Sequence, residues 1–185
     1  MNKFLVGVAV ALVLIVITGI SIYNVIISKH ENITAKWAQV ENQLQRRSDL
    51  IPNLVNTVKG YAAHEKTVFE NVTKARSQWT KASTLDEKVK AASDMDSAIA
   101  RLLLVVENYP TLKADQTFLR LMDELSGTEN RIAVERMRYN EAVRNYNITV
   151  RMFPGNVVAK FLGYKPATEY FKAEEKAKIV PEVKF

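Results

Sequence analysis

The chain has 185 residues, 48% of them hydrophobic and 25% charged, which is enough for one core and too little for two large domains. Lys and Arg total 26 against 20 Asp and Glu, a formal charge of +6 that permits an anionic partner such as lipid headgroups or nucleic acid without demanding one. Cysteine is absent and the only histidines are His30 and His64, which excludes disulfides, thiolate metal sites and most histidine-based catalysis.

Phe4 to Ile27 is an uncharged apolar run of 24 residues, interrupted beyond its glycines only by Thr18, Ser21 and Asn24. As a helix it covers about 36 Å, against a hydrocarbon thickness of about 30 Å, so it predicts a tilted membrane span. A cleaved signal peptide has a shorter core and small residues at its cleavage site, whereas this run exits through bulky residues. Residues 1–28 are therefore expected to be a retained single-pass anchor. Lys3 lies on one side of it and Lys29, Lys36, Arg46 and Arg47 on the other, a bias that favours a cytoplasmic C-terminal domain.

Beyond the anchor the pattern turns helical. Ile33, Trp37, Val40, Leu44, Ile51, Leu54, Val58 and Tyr61 alternate at spacings of four and three, broken only by Arg47. Val68, Val72, Ala75, Trp79 and Ala82 continue the phase, with Glu65 as the second exception. This predicts one very long helix or two joined in register. Pro52 removes the hydrogen bond to the Ser48 carbonyl, so a bend is expected at Ser48–Pro52 and a possible break near Gly60.

Thr84-Leu85-Asp86-Glu87 fits a capping box and opens a new helix. Its stripe is Ala92, Met95, Ile99, Leu102, Val106 and Tyr109, and Pro110 is expected to end it. A following helix carries Phe118, Met122, Leu125, Ile132, Tyr139, Val143, Tyr146 and Val150 up to Pro154-Gly155, with Glu129 and Arg136 off the pattern and Gly127 a point of distortion. The expected fold is all-α: a transmembrane helix, an antiparallel bundle of three or four long helices over residues 29–153, and a short amphipathic segment with an extended tail over 154–185.

Arg47, Glu65, Glu129 and Arg136 are charges on apolar seams. Each must pair, reach solvent or sit at a bundle end, because a buried lone charge is too costly. At least one Arg of this set is expected within salt-bridge distance of one of the Glu residues, as a bundle register pair or a switch. Tyr139-Asn140 and Tyr146-Asn147 repeat seven residues apart, aligning two tyrosines on one stripe and two asparagines on the next. Asn140 and Asn147 thus form either a ladder that binds a peptide, headgroup or second bundle, or groups that satisfy buried polar atoms across the bundle, near Asn53, Asn56 or Arg76. After Pro154, Val157, Val158, Phe161, Leu162 and Tyr164 cluster around a single charge, Lys160. That segment is expected to pack on the bundle, with a membrane or partner surface as the alternative. Ile179, Val180, Val183 and Phe185 form an apolar ending able to latch onto its own chain or a neighbour.

Arg47-Ser48-Asp49-Leu50-Ile51-Pro52-Asn53-Leu54-Val55, then Val58-Lys59-Gly60-Tyr61 and His64-Glu65, resemble the signature of the LemA family. Ala75-Arg76, Gly127 to Ala133, Arg136, Tyr139-Asn140, Tyr146-Asn147, Phe153-Pro154 and the closing Pro181 to Phe185 continue the resemblance in order along the chain. It implies a bacterial single-pass membrane protein with a four-helix bundle and no established enzymatic activity.

The residues supply no catalytic pattern that would argue otherwise. Di-iron bundles need Glu-x-x-His, yet Ile27 and Tyr61 stand three before His30 and His64. His64-Glu65 has Val68 where a zincin needs its second histidine. The expectation is no enzyme, no cofactor, no metal and no nucleic-acid partner. What remains is a homo-oligomeric scaffold in the inner membrane, organising the bilayer or unidentified membrane proteins; the alternative is a sensor or adaptor that binds a small ligand or peptide.

Overall fold

The computed structural model describes residues 3–171, which contain helices and irregular chain and no strand among the described residues. The elements are α1 (Lys3–Lys59), α2 (Lys66–Lys81), α3 (Leu85–Val106), α4 (Pro110–Lys113), α5 (Gln116–Arg151) and α6 (Gly155–Leu162). Contacts divide the chain into two compact units, one of Val40–Val134 and one of the chain up to Gln39 together with the chain from Glu135 onward. The ending at Ile179 to Phe185 lies outside the described residues.

In the Val40–Val134 unit, five helices contribute to one core, α4 through Leu112. Ile51, Leu54 and Val58 of α1 join Phe69 and Val72 of α2, Met95, Ile99 and Leu102 of α3, and Phe118 and Leu125 of α5. The spacing of four and three puts these side chains on one face of each helix, and that face is buried. Tyr61 departs from the pattern: it is 43% exposed, because α1 stops at Lys59 and the chain turns. Its hydroxyl instead donates to Asp115 at 3.1 Å, which raises the Tyr61 pKa above the ordinary phenol value.

α1 runs through Pro52 without a break, and the missing hydrogen bond has a substitute. The Ser48 carbonyl, which residue 52 would have bonded, accepts from Arg76 Nε of α2 at 3.2 Å. Ser48 is 1% exposed, where an unpaired carbonyl costs about 1–3 kcal/mol. The side chain of one helix thus completes the backbone of another.

The capping box at α3 is present. Thr84 Oγ1 accepts from the Glu87 N–H at 3.2 Å, and the Glu87 carboxylate accepts from the Ser83 and Thr84 N–H groups at 2.9 and 3.1 Å. Those amides, Ser83 first, hold the Glu87 carboxyl below the usual carboxylate range. Pro110 does not terminate α3, which already ends at Val106; it opens α4 at a first-turn position, where its lack of an N–H costs nothing. Asp115 caps α5 by accepting from the Phe118 N–H at 2.9 Å, which holds its carboxyl low. α5 then continues through Gly127 to Arg151.

In the other unit, the described part of α1 as far as Val16 is exposed, and the helix contains a window of mean hydropathy 2.9, long and apolar enough to cross a membrane. Further along α1, Ile26 is fully buried against Tyr146 and Val150 of α5 and Ala159 of α6, with Ile22 and Ile33 packed beside them. The Phe153–Pro154 peptide is cis. Gly155 starts α6 where a Cβ would meet the Thr149 carbonyl oxygen at 2.1 Å, so the close approach admits only glycine.

Two predictions follow from these caps and substitutions. Arg76→Leu should cost about 1–2 kcal/mol, and in a Pro52→Ala background, where residue 52 regains its N–H, that loss should shrink by about 1 kcal/mol. Urea unfolding of the detergent-solubilised full chain reads the coupling, and equal losses in both backgrounds would refute the substitution. For Glu87, a lowered pKa means that the cap contributes fully above the unfolded carboxylate pKa and is lost as pH falls through the folded one. The Ser83 and Thr84 amide resonances should titrate with a midpoint below that of an exposed glutamate; a midpoint at or above it contradicts the cap.

Candidate functional site

Two constellations of polar residues stand inside otherwise apolar surroundings. The first, in the Val40–Val134 unit, centres on Arg47 of α1, which is 7% exposed on the seam between Leu44 and Ile51. Its Nη1 pairs with Asp96 of α3 and with Glu129 Oε2 of α5, the latter at 2.5 Å. Three helices therefore meet at one guanidinium. A groove of about 300 Å³ opens beside it, lined by Ile99, Leu103, Met122 and Asn130 as well as the charged groups. Two residues along α5 from Glu129, Arg131 donates from Nε to Gln43 Oε1 at 3.2 Å and from Nη2 to Thr128 Oγ1 at 3.3 Å.

The cluster sets one guanidinium against two carboxylates, and both face Arg47. Its Nε is buried without a hydrogen-bond partner among the described residues, so the cluster retains a desolvation cost. Such an arrangement fixes which helix faces meet. The expected Arg–Glu pairing across helices is present as Arg47–Glu129, whereas Asp96 was not legible as a member. Asp96 lies beside Met95 on α3, at a position the apolar periodicity leaves unconstrained.

Glu65 takes another course from the seam: it is half-buried at the N-terminus of α2, where its carbonyl accepts from the Val68 and Phe69 N–H groups. The break at Gly60 moved this residue from a seam to a helix end.

The second constellation is in the other unit, on the C-terminal half of α5. Asn147 donates from Nδ2 to the Ala167 carbonyl and accepts at Oδ1 from the Ala167 N–H, both at 2.8 Å. Asn140 does the same with Phe171, both bonds at 2.9 Å. Each amide engages both backbone groups of one residue, as a neighbouring strand would, and so the α5 ladder holds an irregular segment of its own chain. Tyr146 adds a bond from its hydroxyl to the Lys165 carbonyl at 2.9 Å, and burial raises its pKa. The asparagines thus satisfy half-buried backbone groups, but at Ala167 and Phe171 rather than near Asn53, Asn56 or Arg76.

Phe171 is seated by rings as well as by Asn140. It stacks on Trp37 at 5.7 Å, meets Tyr139 edge-on at 5.4 Å, and lies 5.2 Å from the Arg136 guanidinium. That cation–π contact accounts for the charge on the α5 seam, since the guanidinium exchanges water for an aromatic face. His30 packs edge-on against Tyr146 and Tyr164, at 5.6 and 6.0 Å. No grouping of three or more potential metal ligands occurs among the described residues.

Both constellations include residues of the signature quoted above, among them Arg47, Glu129, Asn140 and Asn147, and comparison with known proteins settles that resemblance. The sequence model of the LemA family matches residues 36–185. The chain belongs to the LemA family.

Similar proteins include two from Paramagnetospirillum magneticum, magnetosome proteins MamQ 1 and MamQ 2, each 31% identical over 176 residues. These alignments cover 81% of this chain and 64% of each relative, so the chain spans less than two-thirds of their length. Magnetosome protein MamQ of Magnetospirillum gryphiswaldense is 27% identical over 187 residues, covering 87% of this chain and 68% of the relative. In this LemA-family chain the signature residues Arg47, Ser48 and Arg76 make polar contacts between helices in one unit, and Asn140, Tyr146 and Asn147 hold irregular chain between residues 165 and 171 in the other.

The two clusters make separable predictions. Asp96→Asn should destabilise the detergent-solubilised chain by about 2–3 kcal/mol, since it strands a buried cation beside one half-exposed carboxylate. Glu129→Gln should cost under about 1 kcal/mol, because that partner is already 48% exposed. Thermal unfolding followed by circular dichroism ranks them, and the reverse order would contradict the geometry. On α5, Asn147→Leu should abolish hydrogen-exchange protection at the Ala167 amide while leaving Phe171 largely protected, and Asn140→Leu should do the converse. Unchanged protection in both would show that the ladder does not hold the segment.

Proposed function

We propose that this LemA-family chain is a non-enzymatic, single-pass membrane protein whose helices form an antiparallel bundle, and that it self-associates as a scaffold for membrane or membrane-protein partners. It is anchored in the bacterial inner membrane by the N-terminal part of α1, with its C-terminal domain on the cytoplasmic side. The observation that carries this reading is how its polar groups are engaged. Arg47, Arg76, Asn140 and Asn147 are directed at other parts of the same chain, while the apolar part of α1 is left uncovered. Side chains engaged in this way build a surface and an anchor. The relatives named as magnetosome proteins support placing the chain in an assembly rather than a metabolic step.

A second reading, a sensor or adaptor for a peptide, draws support from one feature only. The Asn140 and Asn147 ladder already grips irregular backbone, and a peptide from elsewhere with free N–H and C=O groups would meet the same donors and acceptors. The size of the detergent-extracted full-length particle separates the two. A defined particle of several copies is the outcome expected of the scaffold. A monomer would overturn it in favour of the sensor.

A further inference from the structure

The apolar run of α1 divides in two. From Phe4 to Val16 it is exposed throughout, and it remains so to Ile20 save at Gly19, whereas Ile26 is fully buried by Tyr146, Val150 and Ala159. The stretch left for lipid is therefore the 17 residues from Phe4 to Ile20, about 26 Å of helix against a hydrocarbon layer of about 30 Å. Its protein-facing continuation begins at Ile22. Tyr23, 39% exposed, stands next to that change, with the amphipathic ring favoured at a membrane–water boundary.

At that level α6 lies beside α1. Val16, Gly19 and Ile20 of α1 and Val157, Phe161 and Leu162 of α6 line an apolar groove of about 390 Å³. α6 is held in place from its other side: Ala159 is 2% exposed in the core cluster, and Gly155 abuts the Thr149 carbonyl. Val158 packs against the same cluster, whereas Val157, Phe161 and Leu162 are exposed. Phe161 is 89% exposed, Val157 59%, and Phe153, just ahead of the helix, 81%. Helical spacing puts Val157 and Phe161 on one line and the exposed Asn156 and Lys160 on the neighbouring one.

We propose that α6, led by Phe153, is a second membrane attachment: an interfacial helix that inserts Val157 and Phe161 between lipids at the boundary where the span leaves the hydrocarbon, with Asn156 and Lys160 among the headgroups. The occupant of the exposed face and its groove is lipid. Continuity argues for it, because the groove's other wall is the uncovered face of the spanning helix, so the surface begins in hydrocarbon and ends at α6. The sequence has the makeup of an interfacial helix: an apolar face with an aromatic beside a basic one, on a segment of eight residues, too short to span. A span with one interfacial foot is held in depth and in rotation about its own axis, which a lone helix is not. This inference rests on the reading of the N-terminal part of α1 as a span.

The absence of cysteine makes the test direct. Single variants Val157→Cys, Phe161→Cys, Asn156→Cys and Lys160→Cys, with Leu12→Cys on the span, carry a nitroxide label in the full chain reconstituted into phosphatidylcholine–phosphatidylglycerol vesicles. Relaxation by oxygen, which concentrates in lipid, is compared with relaxation by a water-soluble nickel chelate. The ratio should be several-fold higher at 157 and 161 than at 156 and 160. Equal nickel access at all four α6 positions would overturn the interfacial helix, provided Leu12 reports lipid. Dipolar broadening at 157 or 161 that disappears on dilution with unlabelled chain would also overturn it, by showing a second copy on that face. Nickel access at Leu12 would overturn the span and the foot together.

Discussion

Arg47 occupies a place where the α1 seam otherwise carries Leu44 and Ile51, and a guanidinium can remain there only if carboxylates are brought to it. They come from two further helices, Asp96 of α3 and Glu129 of α5, so the requirement of one buried cation constrains how three helices meet. An apolar residue at position 47 would pack with less desolvation and equal convenience, and would accept several registers. The charge accepts one. A helix slipped by a turn would carry its carboxylate about 5.4 Å away along the axis and leave Arg47 half-compensated in a dry seam.

The same economy governs the backbone. Pro52 withholds an N–H from Ser48, and Arg76 of α2 supplies one; residues 167 and 171 lack any strand partner, and Asn147 and Asn140 provide both donor and acceptor. In each case a side chain stands in for main-chain hydrogen bonding at a point where the regular ladder fails. Because each substitute comes from a different segment, local irregularity becomes a tertiary link. Asn suits the second task for a specific reason: its amide presents one donor and one acceptor side by side, the pattern of a peptide group, which Asp or Ser cannot present.

What the sequence discloses follows the range of the interaction that produces it. The seam of Leu44, Ile51, Leu54 and Val58 is a repeat within one helix, and the capping box of Thr84 and Glu87 closes over three residues, so both were legible by counting. Arg47 was legible as an exception and Ser48 as the carbonyl that Pro52 frees. Their partners were less so: Glu129 showed as a second exception, but Asp96 breaks no pattern, and its distance of 49 residues from Arg47 along the chain carries no local signal. Tyr61 failed for the converse reason. It fits the period, yet the period had already ended at Lys59, and a residue two past a helix end can agree with a spacing by accident. Asn140 and Asn147 were recognisable as a pair, but their ligand is irregular chain, whose path no periodicity records.

Hydropathy has a blind spot of the same kind at the N-terminus. It counts an isoleucine alike whether lipid or protein removes it from water, so Phe4 to Ile27 reads as one uniform run. The side chains are not uniform in their surroundings. Ile22, Ile26 and Ile33 recur at spacings of four and seven, a helical stripe that faces Tyr146 and Val150, while Leu12 to Ile17 are exposed around the whole circumference. The change from all-round exposure to a one-sided stripe marks where a helix passes from a medium that surrounds it to a protein that touches one face. That change lies inside the apolar run, some two turns before its last hydrophobic residue. A length threshold therefore overstates the part exposed on all sides, and only the angular pattern of burial corrects it.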